Sequence, residues 1–433
     1  MARKMKDSGI EWIGEIPEGW KVHRIKNNYT IISGSGFKPS LQGNESGDFP
    51  VCKASDISNS GHYLNHSANY ICTDIARSQG FSIIPKGSIL FAKVGEAMRK
   101  NNRSLCLVDC CADNNCQGLV PQNISSEFSY YLFTCIDMTW FDNAGTIPCI
   151  NNQKLNNCYI PFPPFNEQFM ISDYLNAECS RIDAMLVKTR ASIEEYKKLK
   201  QAVITQAVTK GVRSEREMKD SGNPWFGQVP ADWKLTRVGL HFSIILGKML
   251  CNAPLNDTYT LEPYYCAADV HFDGVADGER KKMWFSPIEK DLYRVSVGDL
   301  LVVEGGAGAG GSAIVENQDS DTYIQNSIMI VRSKGNADNC YLRYLLEFLV
   351  KQGYIDIVCN KATIPHFTKD KLSCVPFCLC PTGEQEEIAD YLDAKCAEID
   401  GLIAKKEQLV KELENYKKSL IFEYVTGKKE LRR

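Results

Sequence analysis

The clearest hydrophobic pattern in the chain predicts two long helices. Between Glu167 and Thr209 there is no proline or glycine, and apolar residues recur every three or four positions. This spacing places them along one face of an α-helix. The pattern returns from Glu384 onward, interrupted only by Gly401. The apolar positions are Ile171, Leu175, Cys179, Ile182, Leu186, Ile193, Tyr196, Leu199, Val203 and Ala207, and then Ile388, Leu392, Cys396, Ile399, Ile403, Val410, Leu413, Tyr416, Leu420 and Tyr424.

Each predicted helix is too long for a single compact domain. At a rise of 1.5 Å per residue, about 42 residues extend over roughly 60 Å. Charged residues fill the positions between the apolar ones, as in a coiled coil. Ordinary core helices remain the alternative, although these average only about three turns. We expect the two helices to pair with each other through residues that include Ile182, Tyr196, Val203, Ile399, Leu413 and Leu420, and to contact partner proteins.

The regions between these helices have a different pattern, in which short apolar runs are bounded by Gly, Pro, Asn and Asp. Such runs are typical of strands. A helix is predicted around 341–350. The predicted strands lie within 82–91, 104–108, 294–303 and 328–331.

A repeat organises the whole chain. Residues 5–24 return as 218–237 with 11 of 20 positions identical, including both tryptophans of each copy. A second block repeats at an offset of 217 residues: Thr146-Ile147-Pro148 as Thr363-Ile364-Pro365, Glu167-Gln168 as Glu384-Gln385, and Val208-Thr209 as Val425-Thr426. A period above 200 residues indicates a duplicated domain rather than a solenoid. The regions between the repeated blocks share little sequence, which suggests one scaffold carrying two different modules.

Composition fits a soluble globular protein of 433 residues, with 44% hydrophobic and 24% charged residues. No apolar run approaches the length of a membrane span, and the first residues are charged, so we expect a cytoplasmic protein. The net charge of -3 argues neither for nor against nucleic acid. The 18 cysteines include no C-x-x-C pair. Free, mostly buried thiols are expected, with a metal site or disulfide framework as the alternative.

In this order, the motifs resemble those of the specificity subunit of type I restriction–modification enzymes. The resemblance rests on the Trp12 to Trp20 segment, the Gly247 to Leu250 run, the Gly-Asp-Leu-Leu strand entry at 298–301, the Thr-Ile-Pro and Glu-Gln motifs, and the helix endings near 207–211 and 424–427. Each motif alone is weak. Their order, repeated twice over essentially all of the chain, is specific.

The resemblance implies an α+β fold in which two strand-rich target-recognition domains are separated by two long antiparallel helices that form a coiled-coil-like spacer. A pseudo-twofold repeat relates the halves. The expected segments are a scaffold segment at 1–20, the first module at 21–165, the first long helix at 166–212, the repeated scaffold at 213–233, the second module at 234–382, the second long helix at 383–427 and a tail at 428–433.

No catalytic centre emerges from the residues. Amino-methyltransferases need Asp or Asn before Pro-Pro-aromatic, but Phe162 stands at that place before Pro163-Pro164, so a connector is the better interpretation. The glycine run 305–311 contains G-x-G-x-x-G but leads into another predicted strand, which favours a hairpin loop over a dinucleotide site. His62 and His66 are the only neighbouring histidines, and a metal site there is a minor alternative.

The best candidate for DNA contact in the first module is a basic loop after a predicted strand. Lysine and arginine neutralise phosphates, while Arg, Asn and Gln also read base edges. A solvated surface loop is an equally good interpretation. The candidate residues are Lys93, Arg99, Lys100, Asn101 and Arg103.

In the second module, the equivalent loop is the near-neutral glycine run that contains Gly306 and Gly308. Contacts to DNA would come from its backbone amides or from Lys248, Arg280, Lys281 and Lys282. By the resemblance, Gln117 and Asn326 occupy a recurrent Asn/Gln position just before a strand. Base contact and structural support of the loop are both open interpretations for them.

The resemblance implies a non-catalytic protein that binds double-stranded DNA at a split, asymmetric target and directs methylation and restriction by its partners. Two modification subunits would supply S-adenosylmethionine-dependent methylation of adenine, and restriction subunits would use ATP and Mg. No cofactor is expected in this chain. The alternatives are a specificity subunit of a related fused methylase–nuclease system and a coiled-coil adaptor without a DNA role.

Overall fold

The structure is a computed structural model that describes residues 3–143, 145–317, 321–359 and 365–431. The chain forms two compact units, one of residues 1–190 with 408–433 and the other of residues 191–407. The limits of the units fall inside the long helices, whereas the boundaries predicted from the repeat lie at the helix ends. Those predicted boundaries stay a prediction. Thr363 and Ile364 of the repeated Thr-Ile-Pro motif lie outside the described residues.

The first unit is built from short strands and short helices followed by a long helix. Its strands are β1 (Met5–Asp7), β2 (Glu15–Pro17), β3 (Lys21–Arg24), β4 (Tyr29–Ser33), β5 (Phe49–Cys52), β6 (Tyr63–Leu64), β7 (Tyr70–Ile71), β8 (Ile89–Ala92), β9 (Arg103–Cys106), β10 (Cys111–Ala112), β11 (Cys116–Pro121) and β12 (Tyr159–Phe162). Its helices are α1 (Ala54–Ser60), α2 (Thr73–Ser78), α3 (Gly95–Arg99), α4 (Ser126–Thr134), α5 (Asn152–Asn157) and the first part of α6 (Phe165–Lys210).

The second unit repeats this plan. Its strands are β13 (Met218–Asp220), β14 (Gln228–Pro230), β15 (Lys234–Arg237), β16 (Phe242–Leu246), β17 (Thr260–Tyr265), β18 (Val270–His271), β19 (Gly274–Val275), β20 (Lys281–Phe285), β21 (Leu300–Val303), β22 (Ser312–Ile314), β23 (Tyr323–Ile324), β24 (Ile328–Ser333) and β25 (Pro376–Leu379). Its helices are α7 (Val238–His241), α8 (Pro287–Tyr293), α9 (Asn339–Lys351), α10 (Tyr354–Val358), α11 (Lys369–Ser373) and the first part of α12 (Thr382–Val425).

The two modules share one strand framework although their sequences have diverged. The larger sheet has the order β4-β11-β8-β9-β6 in the first unit and β16-β24-β21-β22 in the second. A smaller sheet has the order β10-β5-β7 in one and β23-β17-β20 in the other, with one parallel and one antiparallel pair in each. In both units, the strand after the repeated tryptophan pairs with the strand before the long helix. Sheet pairing therefore follows a shared plan, although the larger sheet has one more strand in the first unit than in the second.

The repeated Glu-Gln motif fixes the start of each long helix to its module. The buried Gln168 side chain accepts from the backbone N–H of Ser125, the N-cap of α4, and donates to the Pro163 carbonyl. Buried Gln385 bonds in the same way to the N–H of Asp338, the N-cap of α9, and to the Cys380 carbonyl. The motif is thus a structural joint between helix and module, present once per unit.

Within the first unit, α6 and α12 run in opposite directions. Tyr174 lies against Tyr424, with ring centroids 4.7 Å apart, and Lys417 Nζ pairs with Asp183 at 2.7 Å. Among the predicted contact residues, Ile182 and Leu420 are buried and Leu413 is partly buried in this unit's core. The predicted antiparallel helix pair is confirmed here.

The second unit shows the same antiparallel pairing. Lys200 Nζ lies 2.6 Å from Asp400, and the Lys406 ammonium lies over the Tyr196 ring. Ile399 is buried, and Val203 packs at the edge of the core.

Two of the predicted apolar contact positions are wrong. Leu199 is 47% exposed and Tyr416, its equivalent in the repeat, is 49% exposed. Past these positions Ile204 and Ile421 are buried instead, in the cores that contain Trp233 and Trp20 respectively. The apolar stripe shifts because the carboxyl-terminal turns of each helix pack against a module core as well as against the other helix.

All eighteen cysteines are free thiols, and ten of them are buried. Cys106 Sγ lies 3.6 Å from Cys110 Sγ in the core of the first module. Hydrogen bonds from the Cys106 and Cys52 thiols lower the pKa of Cys110 to about 5. The described residues contain no cluster of His, Cys, Asp or Glu with the geometry of a metal site. Within the same ranges, no helix combines the length and apolarity needed to cross a lipid bilayer.

Candidate nucleic-acid interface

In the first module, four loops meet at one end of the sheets. The Lys93 N–H donates to the Asn115 carbonyl at 2.7 Å, and the Gly95 N–H donates to the Pro148 carbonyl at 2.8 Å. The Ser35 N–H bonds to Ala112 beside them. We call these loops, residues 34–38, 93–102, 113–115 and 145–149, loop face 1.

The second module builds the same arrangement from different residues. The Glu304 N–H donates to Ser327 at 2.8 Å, and the Gly306 N–H donates to Pro365 at 3.2 Å. The Asn326 N–H donates to the Lys248 carbonyl at 2.8 Å. Loop face 2 is therefore formed by residues 247–255, 304–311, 325–327 and 365–366. In both modules, the carbonyl of the repeated Thr-Ile-Pro proline therefore accepts a hydrogen bond from the loop that follows β8 or β21.

One glycine on each loop face is required by close backbone packing. A Cβ atom at Gly34 would overlap the Asp113 carbonyl, and one at Gly247 would overlap the Gln325 carbonyl. The chain can therefore pass directly over the neighbouring loop only where no side chain is present. This contact fixes where the next residues, Ser35 and Lys248, emerge.

On loop face 1, three of the predicted DNA-binding cations are accessible. Lys100 is exposed and has no ion pair with another described residue, while Lys93 is half-buried. Arg99 is exposed and lies 3.4 Å from Glu96 in α3, so part of the predicted loop is a short helix. Exposed ion pairs of this kind contribute little, so Arg99 remains available to a phosphate.

Arg103 and Asn101 serve the structure of the module, contrary to the prediction that they contact DNA. The Arg103 guanidinium is buried and donates to the Ile136 carbonyl at 3.1 Å and to Asn101. Burial lowers the pKa of Arg103 to about 10. Asn101 adopts a left-handed backbone conformation with φ of 58° and also accepts from the Met138 N–H at 3.0 Å. These hydrogen bonds commit both side chains to the module itself.

Gln117 is likewise buried, which favours the supporting role over base contact. Its amide donates to Asn152 Oδ1 at 3.1 Å, and its own oxygen has no partner among the described residues. The residue therefore supports the end of β11 from within.

In the second module, two of the predicted DNA-binding cations are occupied internally. Lys248 is buried, and its ammonium bonds to Glu289 at 2.6 Å and to the Trp284 carbonyl at 2.8 Å. Arg280 pairs with Asp269 at 3.1 Å and lies over the Tyr265 ring. Both predictions of direct DNA contact conflict with these contacts.

Other predicted residues of the second module are accessible. Lys281 and Lys282 are exposed on β20 without ion pairs to described residues. Asn326 is half-buried and its side-chain oxygen accepts from Gln325. The glycine run joins antiparallel β21 and β22 as the predicted hairpin loop, with Gly308 exposed and Gly306 half-buried.

The sequence reasoning missed the residues that follow Lys248. Met249, Leu250 and Leu255 are exposed on loop face 2. In the sequence, the Gly247 to Leu250 run served only as one of the motifs that carry the family resemblance. Its available signal was a row of apolar residues in a segment that contains Asn and Pro and is therefore unlike a strand.

Comparison with known proteins identifies the family. The model of the family described as "Type I restriction modification DNA specificity domain" matches residues 17–195 and 277–412. The chain is 25% identical over 439 residues to the putative type I restriction enzyme MjaX specificity subunit of Methanocaldococcus jannaschii, covering 96% of this chain and 95% of that protein. It is 24% identical to the MjaVIII specificity subunit of the same organism, covering 95% and 93%.

Solved structures share the fold. A chain from work on complex assembly and conformational transition of the type I R-M system matches with a TM-score of 0.70 at 18% identity, over 95% of this chain and 98% of its own length. The HsdS subunit from Thermoanaerobacter tengcongensis matches with a TM-score of 0.53 at 19% identity over the same shares. Duplicated modules, long helices and the family match agree: the chain belongs to the type I restriction modification DNA specificity family and is a specificity subunit, the non-catalytic DNA-recognition component.

Proposed function

We propose that the chain recognises a bipartite, asymmetric DNA target, with each module reading one half. The observation that carries the proposal is the pairing of one strand framework with two chemically different loop faces. Loop face 1 presents exposed Arg99 and Lys100, whereas loop face 2 presents a neutral glycine loop and exposed apolar residues. Because the frameworks match and the surfaces differ, two half-sequences of different composition are expected.

The helices α6 and α12 are proposed to set the distance between the two half-sequences. The proposal is supported within each unit, where salt bridges and apolar contacts pair the two helices. A spacer of set length and unspecified sequence follows. Segments 1–20 and 213–233 would act as scaffold, modules 21–165 and 234–382 as readers, helices 166–212 and 383–427 as spacer, and 428–433 as tail.

Assembly with other restriction–modification subunits is a property of the family, and two copies of one modification subunit are the proposed stoichiometry. The supporting observation is that an aromatic and arginine cluster occurs once in each unit. Trp12 lies 5.9 Å from Trp140 in the first unit, and Trp225 lies 5.3 Å from Tyr354 in the second, measured between ring centroids. Arg24 and Arg237 occupy equivalent places on β3 and β15. Two like surfaces fit two like partners.

The cofactors are proposed to reside on those partners. S-adenosylmethionine would bind the modification subunits, and ATP with Mg would bind the restriction subunits. Activity is expected only from the assembly.

Exchange of residues 21–165 for those of a relative tests the proposed function. The assembled methyltransferase should then methylate targets in which one half-sequence is new and the other is unchanged. The exchange of 234–382 is the matched control and should alter the other half. If neither exchange alters target choice, the adaptor alternative is correct. A partner that carries methylase and nuclease in one chain would indicate the fused system.

A further inference from the structure

Loop face 2 carries an apolar group that the core does not cover. Met249 is 75% exposed and Leu255 is 79% exposed, and Leu250 beside them is more than half exposed. Single exposed apolar residues are ordinary, but several in one short loop mark a binding surface. This loop lies on the face already assigned to DNA.

The backbone places Met249 and Leu250 next to Asn326. Lys248 is bonded through its carbonyl to the Asn326 N–H, and the Cys251 carbonyl accepts from Trp284 on edge strand β20 at 3.0 Å. The segment therefore crosses from loop 325–327 to β20, with both apolar residues on the crossing. Asn326 keeps its amide nitrogen without a hydrogen bond to a described residue.

The start of this segment is held in place by the contacts of the buried Lys248 side chain. The Lys248 ammonium bonds to Glu289 and the Trp284 carbonyl and lies 4.9 Å from the Tyr259 ring centroid. Since the buried lysine holds the start of the segment, the exposed side chains are presented on a fixed backbone. A fixed presentation lowers the ordering cost of binding.

In the first module, the equivalent segment does not leave its apolar residue open. In the equivalent segment, Phe37 packs edge-on against Phe81 with ring centroids 6.1 Å apart, and the Lys53 ammonium lies over its ring. That apolar residue is therefore covered by its own module. Of the two equivalent segments, 34–38 and 247–255, only the second leaves its apolar residues open, whereas on loop face 1 the exposed apolar residue is Ile147, in the 145–149 loop.

Loop face 2 also lacks free lysine or arginine side chains that could contact DNA. Lys248 is paired with Glu289, and the position equivalent to Lys93 is Glu304. The groups left for sequence reading on this face are the apolar side chains and the amides of the exposed Asn252 and of Asn326. In the major groove, the apolar group on base edges is the 5-methyl of thymine, and an asparagine amide reads adenine.

We propose that Met249 and Leu250 form the thymine-reading element of the second module, packing against thymine 5-methyl groups in its half-target beside Asn326. This inference rests on the proposed function and gives it a chemical content. The half-target of the second module therefore contains an A·T pair whose thymine methyl contributes to affinity.

The test replaces thymine by uracil, which lacks only that methyl group. The half-target of the second module is first assigned by the 234–382 exchange, and each of its thymines is then replaced singly in a duplex bound by the assembled complex. We expect one or two positions to lose about fourfold in affinity, the effect of one methyl-sized apolar contact. Met249→Ala and Leu250→Ala should weaken binding to thymine DNA and lose the difference between thymine and uracil.

Leu240→Ala is the matched control. Leu240 is 67% exposed but lies before β16, at the opposite end of that strand from loop face 2. It should keep both the affinity and the thymine preference. Thermal unfolding of each variant verifies that the module remains folded.

Three outcomes would overturn the inference. They are a half-target without thymine, uracil duplexes that bind as well as thymine duplexes, and a thymine preference that persists in both loop variants. Loss of assembly with protein subunits at unchanged DNA affinity would instead assign the surface to a protein partner. In all of these the proposed bipartite recognition would still stand, since it fails only if module exchange leaves the target unchanged.

Discussion

Gln168 accepts a hydrogen bond from the backbone N–H of Ser125 at 2.8 Å, and the same bond joins Gln385 to Asp338 at 2.9 Å in the second unit. Each glutamine joins the start of a long helix to the N-cap of the helix that covers its sheet. The same hydrogen bond in both units indicates that each module is held to the start of its long helix in the same way.

Replacement of either glutamine by leucine should destabilise its unit to a similar degree. Gln168→Leu and Gln385→Leu each remove two buried hydrogen bonds and leave a backbone N–H and a carbonyl without partners, which costs about 2 kcal/mol. Urea unfolding measures the free energy. Gln153→Leu, on the exposed surface of α5, is the control and should change the stability by less than about 0.5 kcal/mol. Unequal losses would contradict an equivalent joint.

Arg99→Ala and Lys100→Ala should weaken DNA binding without altering the target. Each exposed cation is expected to neutralise one phosphate, so the dependence of log affinity on log salt should become shallower by about one unit per variant. Titration of labelled duplex at several salt concentrations measures this slope. An altered half-sequence would mean that these residues read bases instead.

Arg103→Ala should act on stability and leave the salt dependence unchanged. The variant leaves the Ile136 carbonyl and Asn101 without their donor in a buried site and costs about 3 kcal/mol. Thermal unfolding and the salt titration, performed on the same preparation, separate the two effects. A shallower dependence of log affinity on log salt, together with unchanged stability, would mean that Arg103 contacts a DNA phosphate.

The contact between Lys248 and Glu289 should make the second module sensitive to acid. Burial raises the pKa of Glu289, but hydrogen bonds from Lys248 and Ser286 outweigh it, so that the pKa lies below its usual value. The stabilisation is therefore complete above the ordinary glutamate pKa, about 4.3, and is lost as the pH falls through the lower folded value. Unfolding measured between about pH 6 and pH 3 should show this loss.

Glu289→Gln is the control for that experiment. It retains an acceptor for Lys248 but cannot titrate, so its stability should be lower near neutral pH and should fall less on acidification. An equal acid response in both proteins would remove Glu289 as its cause.

The fold was predictable where the sequence repeats and where the helical spacing of apolar residues continues over many turns. The positions of Ile182 and Leu420 follow from helical spacing alone, because one apolar stripe faces one partner helix along most of each unit. The prediction that Leu199 and Tyr416 are buried was wrong. Burial near the carboxyl-terminal ends of the helices depends on packing against Trp233 and Trp20, which are distant in sequence from those turns.

The candidate interface was less predictable because accessibility depends on contacts distant in sequence. Arg103 looks like a DNA contact beside Arg99 and Lys100, but its acceptor is the carbonyl of Ile136, 33 residues away. Lys248 is neutralised by Glu289, 41 residues away. Charge in a loop therefore indicates a candidate, and only the fold shows which cations are free.

The most direct test of the central claim, that two modules read separate half-sequences at a distance set by the helices, is a change of helix length. Four residues inserted in helical register into α6 should lengthen the spacer of the methylated target and leave both half-sequences unchanged. Sequencing of methylated adenines in DNA modified by the assembled complex measures both quantities at once. A longer spacer with unchanged half-sequences is the predicted result, and changed half-sequences at an unaltered spacer would contradict the account.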